Sequence, residues 1–243
     1  MQDKIQMLKD LIKNSNNIVF FGGAGVSTES GIPDFRSKDG LYSMKYKYPP
    51  EEILSRDFFV EQPDDFYEFY RDKLNSLSIQ PNITHYALAK LEELGKLKCV
   101  ITQNIDGLHQ KAGSKSVVEL HGSILRNYCT KCRKFYKAES IFEMEDIPVC
   151  ECGGIIKPDV VLYCEPLNYT SVNNALDAIE QCDLLIVGGT SLTVYPAASY
   201  VMNFRGKNLV IINKDATEYD YRANLVIKGS LGEVFSEVMK DYE

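Results

Sequence analysis

The sequence lacks any run of about 18 uninterrupted apolar residues, so no membrane-spanning helix and no membrane association are expected. Its start, Met1-Gln2-Asp3-Lys4, has no apolar leader core, and the expected location is the cytoplasm. Positive charge is in deficit: 27 Lys and Arg stand against 34 Asp and Glu, a net charge of −7. That balance argues against direct nucleic-acid binding, which needs a basic surface, and is compatible with basic, lysine-bearing protein partners. There are no internal repeats and no low-complexity tracts. Histidine is scarce, with only three in 243 residues, so each one can be weighed separately.

What remains is ordinary globular material, 44% hydrophobic and 25% charged, long enough for one large domain with a smaller insert. Short apolar runs recur at Ile18–Phe21, 99–102, 117–120, 184–187, 209–212 and 225–227, and each reads as a buried strand. Helical spacing appears over 3–14, through the aromatic stretch 58–70, over Thr84 to Leu97, and around 171–181, 196–205 and 231–240. Buried strands alternating with helices indicate an α/β fold, a parallel sheet with helices on both faces, whose ligands bind at the carboxyl ends of the strands.

Polar residues gather after those strands. Ile18–Phe21 leads into Gly22-Gly23-Ala24-Gly25-Val26-Ser27-Thr28, a glycine-rich turn of the kind that lets backbone approach a phosphate. The dinucleotide fingerprint is incomplete, because Thr28 stands where its third glycine belongs, and a tight strand–loop connection explains the same residues equally well. The next strands deliver Gln103-Asn104-Ile105-Asp106-Gly107-Leu108-His109, His121-Gly122-Ser123, Gly188-Gly189-Thr190-Ser191-Leu192 and Asn213. Five loops of Gly, Asn, Asp, Ser, Thr and His at one sheet edge point to a nucleotide site more strongly than any one alone.

Seven cysteines without a leader do not suggest a disulfide framework. Cys129 and Cys132 form one close pair and Cys150 and Cys152 another, with 17 residues between them. Four thiolates so spaced clamp one tetrahedral zinc and leave no open position, so the zinc is expected to be structural. Cys99 and Cys182 read as buried apolar fillers, and Cys164 is undecided.

Taken together, these residues resemble the sirtuins over nearly the whole chain. Gly23 to Arg36 is similar to their GAGIS…GIPDFR signature, and Thr102 to His109 to their TQNID motif. Leu120-His121-Gly122, the four cysteines, Lys157-Pro158-Asp159-Val160-Val161, Gly189 to Leu192 and Asn213 follow in the family's order. The resemblance implies a Rossmann-like large domain of about 1–35, 77–124 and 156–243. The small domain is then made of a helical insert, about 36–76, and a zinc module, about 125–155. It implies NAD-dependent removal of acetyl groups from protein lysines, with nicotinamide released and the acetyl group ending on ADP-ribose. The implied partners are acetyl-lysine-bearing proteins or peptides, and the protein is expected to be a monomer. Mono-ADP-ribosyl transfer and removal of longer apolar acyl groups are the alternatives.

By the same resemblance His121 is the catalytic base, and imidazole suits that task at neutral pH. Asn104 orients a ribose hydroxyl or a water, Gln103 bonds the ribose, and Ile105 and Asp106 hold nicotinamide. Phe35 shields the reacting sugar carbon and Arg36 pairs with phosphate or orders the loop. Ala24 and Thr28 approach the diphosphate, while Thr190, Ser191, Asn213 and Leu231 serve the phosphate and adenosine side. Val161, Leu162 and Tyr163 on one side and Val194 on the other flank the substrate peptide. Desuccinylating relatives place a Tyr and an Arg three residues apart on the helix near 66–72. Here Tyr67 is followed by Tyr70, and Arg71 lies one helical step of about 100° away. Acetyl is therefore expected over succinyl. His85 and His109 read as structural.

Overall fold

The computed structural model describes residues 1–34, 40 and 46–242. Its frame is a six-stranded parallel sheet built from β1 (Ile18–Gly22), β2 (Leu97–Thr102), β3 (Val117–Glu119), β7 (Leu184–Gly188), β8 (Asn208–Asn213) and β9 (Leu225–Lys228). The order is β3-β2-β1-β7-β8-β9, so the chain winds outward from β1 on one side and then from β7 on the other. Every residue of β1 and of β7 is buried, because both strands are covered on both faces. One face carries α1 (Gln2–Asn14), α5 (Ile83–Glu93) and α9 (Leu231–Met239), packed through Leu8, Leu88 and Phe235 onto Phe20 and Ile186. The other carries α8 (Tyr169–Gln181), with Ile179 among Val19, Phe21 and Leu185.

A second, antiparallel sheet of β4 (Gly122–Cys129), β5 (Phe135–Lys137) and β6 (Ile156–Val160) runs in the order β5-β4-β6. It shares a core with α2 (Pro50–Ile53), α3 (Arg56–Glu61), α4 (Pro63–Lys73) and α7 (Ala138–Phe142). Phe59, Phe66, Tyr67 and Tyr70 meet there edge to face or stacked, which is the packing role the aromatic face suggests.

Two expected boundaries move. The helix expected over Thr84 to Leu97 stops at Glu93, because Gly95 takes a left-handed φ of +72° and turns the chain into β2. Leu94 is consequently exposed, while Leu97 is buried as a strand residue. The aromatic stretch is two helices rather than one, separated at Gln62 before Pro63. The segment around 196–205 is 3₁₀ helix over Ala197–Asn203. No helix among the described residues is long and apolar enough to cross a membrane.

Candidate active site

The loops after β1, β2, β3, β7 and β8 do converge. They line a cavity of about 760 Å³ that also takes in Val160 to Glu165 and the start of α9. Its floor is backbone. Gly25 N–H donates to Gly189 O at 2.8 Å, and a Cβ on Gly25 would stand 2.8 Å from Gly189 Cα. No larger residue permits that approach, and the surface it leaves is one that a diphosphate can reach. Ala24, Thr28 and Ser191 line the same cavity. Thr28 spends its hydroxyl on Gly25 O at 3.1 Å, so this side chain braces the turn where the fingerprint's third glycine is missing. Asn82, the N-cap of α5, holds the loop from behind by donating to Val26 O at 2.8 Å and to Ser30 Oγ at 3.0 Å.

The loop after β2 is tied to this wall through Ser27. Ser27 Oγ donates to Asp106 Oδ2 at 2.7 Å and accepts from Asn104 Nδ2 at 3.0 Å. Asp106 Oδ1 also accepts the Leu108 N–H at 2.9 Å. Burial raises the Asp106 carboxyl above the usual range, against the pull of those two donors. Ile105 borders the cavity beside it and packs on the aromatic core. Gln103 reaches across to Thr190 Oγ1 at 3.0 Å.

His121 leads from β3 into β4, and Gly122 beside it has a φ of +77° with its Cα against the Asp159 carbonyl. A side chain at Gly122 would break the corner that aims the imidazole. His121 Nδ1 stands 2.9 Å from Gln103 O. A carbonyl only accepts, so Nδ1 carries the hydrogen and the neutral ring presents the Nε2 lone pair. Burial lowers the His121 pKa, opposed by the Gln103 carbonyl, so the ring is neutral at physiological pH.

Asn213 faces the cavity but has both ends of its amide occupied. Its Oδ1 accepts Thr190 N–H at 3.1 Å, and its Nδ2 donates to Thr190 O at 2.8 Å. It sets the loop after β7. Leu231 is buried at the start of α9 against the bare edge of Gly188. Val161, Leu162, Tyr163 and Val194 all line the cavity. Val161 N–H donates to His121 O at 2.9 Å, a single backbone bond that joins the start of that segment to the corner carrying the histidine. Phe35 and Arg36 lie outside the described residues.

The four cysteines form a separate centre, their sulfurs all within 4.8 Å of one another. Cys129 Sγ to Cys152 Sγ is 3.4 Å and Cys132 Sγ to Cys150 Sγ is 3.6 Å. Four thiolates at about 2.3 Å from one tetrahedral zinc need sulfur separations of about 3.8 Å, so the cluster fits a structural zinc. Cys99 and Cys182 are buried in the sheet core and Cys164 is exposed at the cavity.

The remaining histidines are buried together, with ring centroids 4.8 Å apart. His85 Nδ1 accepts Asn82 N–H at 3.2 Å and closes a capping box. Arg71 points away from the cavity: its guanidinium donates to Asp146 O at 3.0 Å and Glu145 O at 2.6 Å.

The roles of Ser27, Asn82 and Glu165 do not follow from the sequence. Asn82 carried a visible signal, an Asn before a helical run, whereas the Ser27 contact to Asp106 spans 79 positions and has no local signature.

Comparison with known proteins agrees with this geometry. The Sir2 family model matches residues 23–196. An NAD-dependent protein deacetylase of Clostridium perfringens is 58% identical over 243 residues, covering 98% of this chain and 100% of that protein. One of Clostridium tetani is 55% identical, covering 98% of both. A Sir2 structure with a p53 peptide and NAD+ superposes with a TM-score of 0.88 at 39% identity, covering 98% of each chain. Another, Sir2 bound to an acetylated peptide, gives 0.88 at 38% over the same shares. Matched by the Sir2 family model over residues 23–196 and by relatives 55–58% identical over 98% of its length, this chain belongs to the Sir2 family, the sirtuins.

Proposed function

We propose that this protein is an NAD-dependent protein-lysine deacetylase, which cleaves NAD to nicotinamide and moves the acetyl group from lysine to ADP-ribose, giving O-acetyl-ADP-ribose and free lysine. The carrying observation is the His121 tautomer: a neutral ring with Nε2 free, held by Gln103 O at the floor of a cavity with phosphate-accepting loops. NAD, when bound, supplies an electrophilic ribose carbon with nicotinamide as its leaving group. His121 Nε2 accepts a proton from a ribose hydroxyl, and Nδ1–H stays on Gln103 O to steady the imidazolium that forms. Asp106, braced by Ser27, accepts from the carboxamide of nicotinamide while Ile105 flanks its ring. Asn104, aimed by the same serine, orients a ribose hydroxyl or water. Ala24, Thr28, Thr190 and Ser191 form the diphosphate and ribose wall, with Asn213 and Leu231 shaping its adenosine end.

The acetyl-lysine stem enters between Val161 to Tyr163 and Val194, with the substrate peptide lying as a strand between those two segments. The Arg71 guanidinium is spent on the Glu145 and Asp146 carbonyls rather than offered to an acidic acyl chain, which supports acetyl over succinyl. Four Cys thiolates hold zinc away from the chemistry. In this role the protein acts as a cytoplasmic monomer whose partners are acetylated proteins. The test is incubation with NAD and an acetyl-lysine peptide. Equal yields of nicotinamide and O-acetyl-ADP-ribose are expected; labelled protein, or binding without turnover, overturns the assignment.

A further inference from the structure

The segment that follows β6 is fixed on its two sides by different means. On the inner side the bonds are backbone: Val161 N–H to His121 O, Tyr163 N–H to Leu54 O at 2.9 Å, and Arg56 N–H to Tyr163 O at 3.0 Å. The alternate groups, which face the open edge, have no strand to pair with because β6 is an edge strand. They are met by one ion pair. Lys157 Nζ donates to Val160 O at 2.8 Å and to Glu165 Oε2 at 3.0 Å. Glu165 Oε2 accepts Leu162 N–H at 2.9 Å, while Glu165 N–H returns to Leu162 O at 3.0 Å. Both side chains are only 21% exposed, so the pair is partly shielded from water, and the ammonium lies 6.0 Å from the Phe59 ring centre. Between Leu162 and Glu165 the chain turns through Cys164, a non-glycine residue at a φ of +68°. A β-carbon in that region is unfavourable, and the conformation persists only where the surroundings impose it.

We infer that Lys157 and Glu165 are positioning residues for substrate: together they hold the turn 162–165, with Cys164 left-handed at its tip, in the shape that admits the acyl-lysine peptide. This rests on the peptide cleft assigned above. The pair touches no reacting atom. It acts through the Val160 carbonyl and the Leu162 amide, so its loss disorders the peptide wall and leaves the NAD wall intact. Cys164 opposes it, since the left-handed turn is costly for cysteine and cheap for glycine.

The experiment measures peptide KM and kcat at saturating NAD, with NAD affinity by calorimetry and zinc content as controls. Glu165→Ala and Lys157→Met are each expected to raise peptide KM about tenfold, the loss of one charge-assisted, partly buried contact. They change kcat by less than about threefold and leave NAD affinity and zinc unaltered. Lys157→Arg keeps the donor and the wild-type KM. Cys164→Gly in the Glu165→Ala background recovers much of the lost KM, because glycine adopts the turn unaided. If Glu165→Ala does not fold, the Lys157→Arg and Lys157→Met comparison decides alone. Unchanged peptide KM in Lys157→Met, or a fall in kcat with KM fixed, overturns the inference. A wild-type enzyme that does not turn over the peptide at all refutes the functional assignment instead.

Discussion

Replacing His85 with glutamine and His109 with phenylalanine isolates an acid weakness built into the support of the NAD loops. Burial depresses the His85 pKa from 6.5 to about 4, and burial together with His85 depresses His109 to about 3. No carboxylate among the described residues bonds to either ring, and His85 Nε2 and both nitrogens of His109 have no partner. The folded-state values lie below the unfolded ones, so their contribution is complete above pH 6.5 and lost as the pH falls. At pH 5 each ring is almost fully protonated in the unfolded chain and almost neutral in the folded one. That difference costs about 2 kcal/mol per ring, or about 4 kcal/mol for the pair, against a total stability on the order of 5–15 kcal/mol. Glutamine at 85 preserves the capping box with Asn82, and phenylalanine at 109 suits the contact with Phe20, 6.4 Å away between ring centres. Urea unfolding followed by circular dichroism at pH 8 and pH 5 gives the two free energies. The drop between them is expected to be about 4 kcal/mol smaller in the double variant than in wild type. An equal drop in both proteins refutes the reasoning.

Three further outcomes follow from the site. Because burial lowers the His121 pKa, the acid limb of kcat/KM falls at an apparent pKa below 6.5, which a pH–rate profile reads; a limb above 6.5 contradicts the neutral-ring assignment. Asp106→Asn replaces the charged acceptor braced by Ser27 with a neutral amide and weakens inhibition by added nicotinamide about tenfold, measured as an inhibition constant. Cys129 and Cys150 belong to the same core as Phe59 and Tyr67, and structural zinc sites are worth on the order of 10 kcal/mol. A strong chelator therefore abolishes peptide turnover and melts near-ultraviolet dichroism from that aromatic core, while the six-stranded sheet keeps its far-ultraviolet signal.

The parallel sheet was legible because its strands are nearly all apolar, and a strand buried on both faces needs no alternation to be recognised. The polar loops after those strands marked the site for the same reason: five breaks in apolar runs fall at one edge. The cysteine spacing was sufficient by itself to locate the metal centre. Boundaries were harder, since Leu94 and Leu97 continue the helical pattern of α5 and only the conformation of Gly95 divides them. The contacts that aim the functional groups were not legible at all. Ser27 meets Asn104 and Asp106, and Asn213 clamps Thr190, through side chains brought together by sheet order alone. The Lys157–Glu165 pair is local, yet its meaning depends on β6 being an edge strand, which no run of residues announces.

The most direct test of the account is the His121→Ala variant, assayed for O-acetyl-ADP-ribose with NAD and an acetyl-lysine peptide, with NAD affinity measured in parallel. Turnover is expected to fall by at least about a hundredfold with NAD still bound, as removal of a general base requires. Undiminished deacetylation by that variant would contradict it.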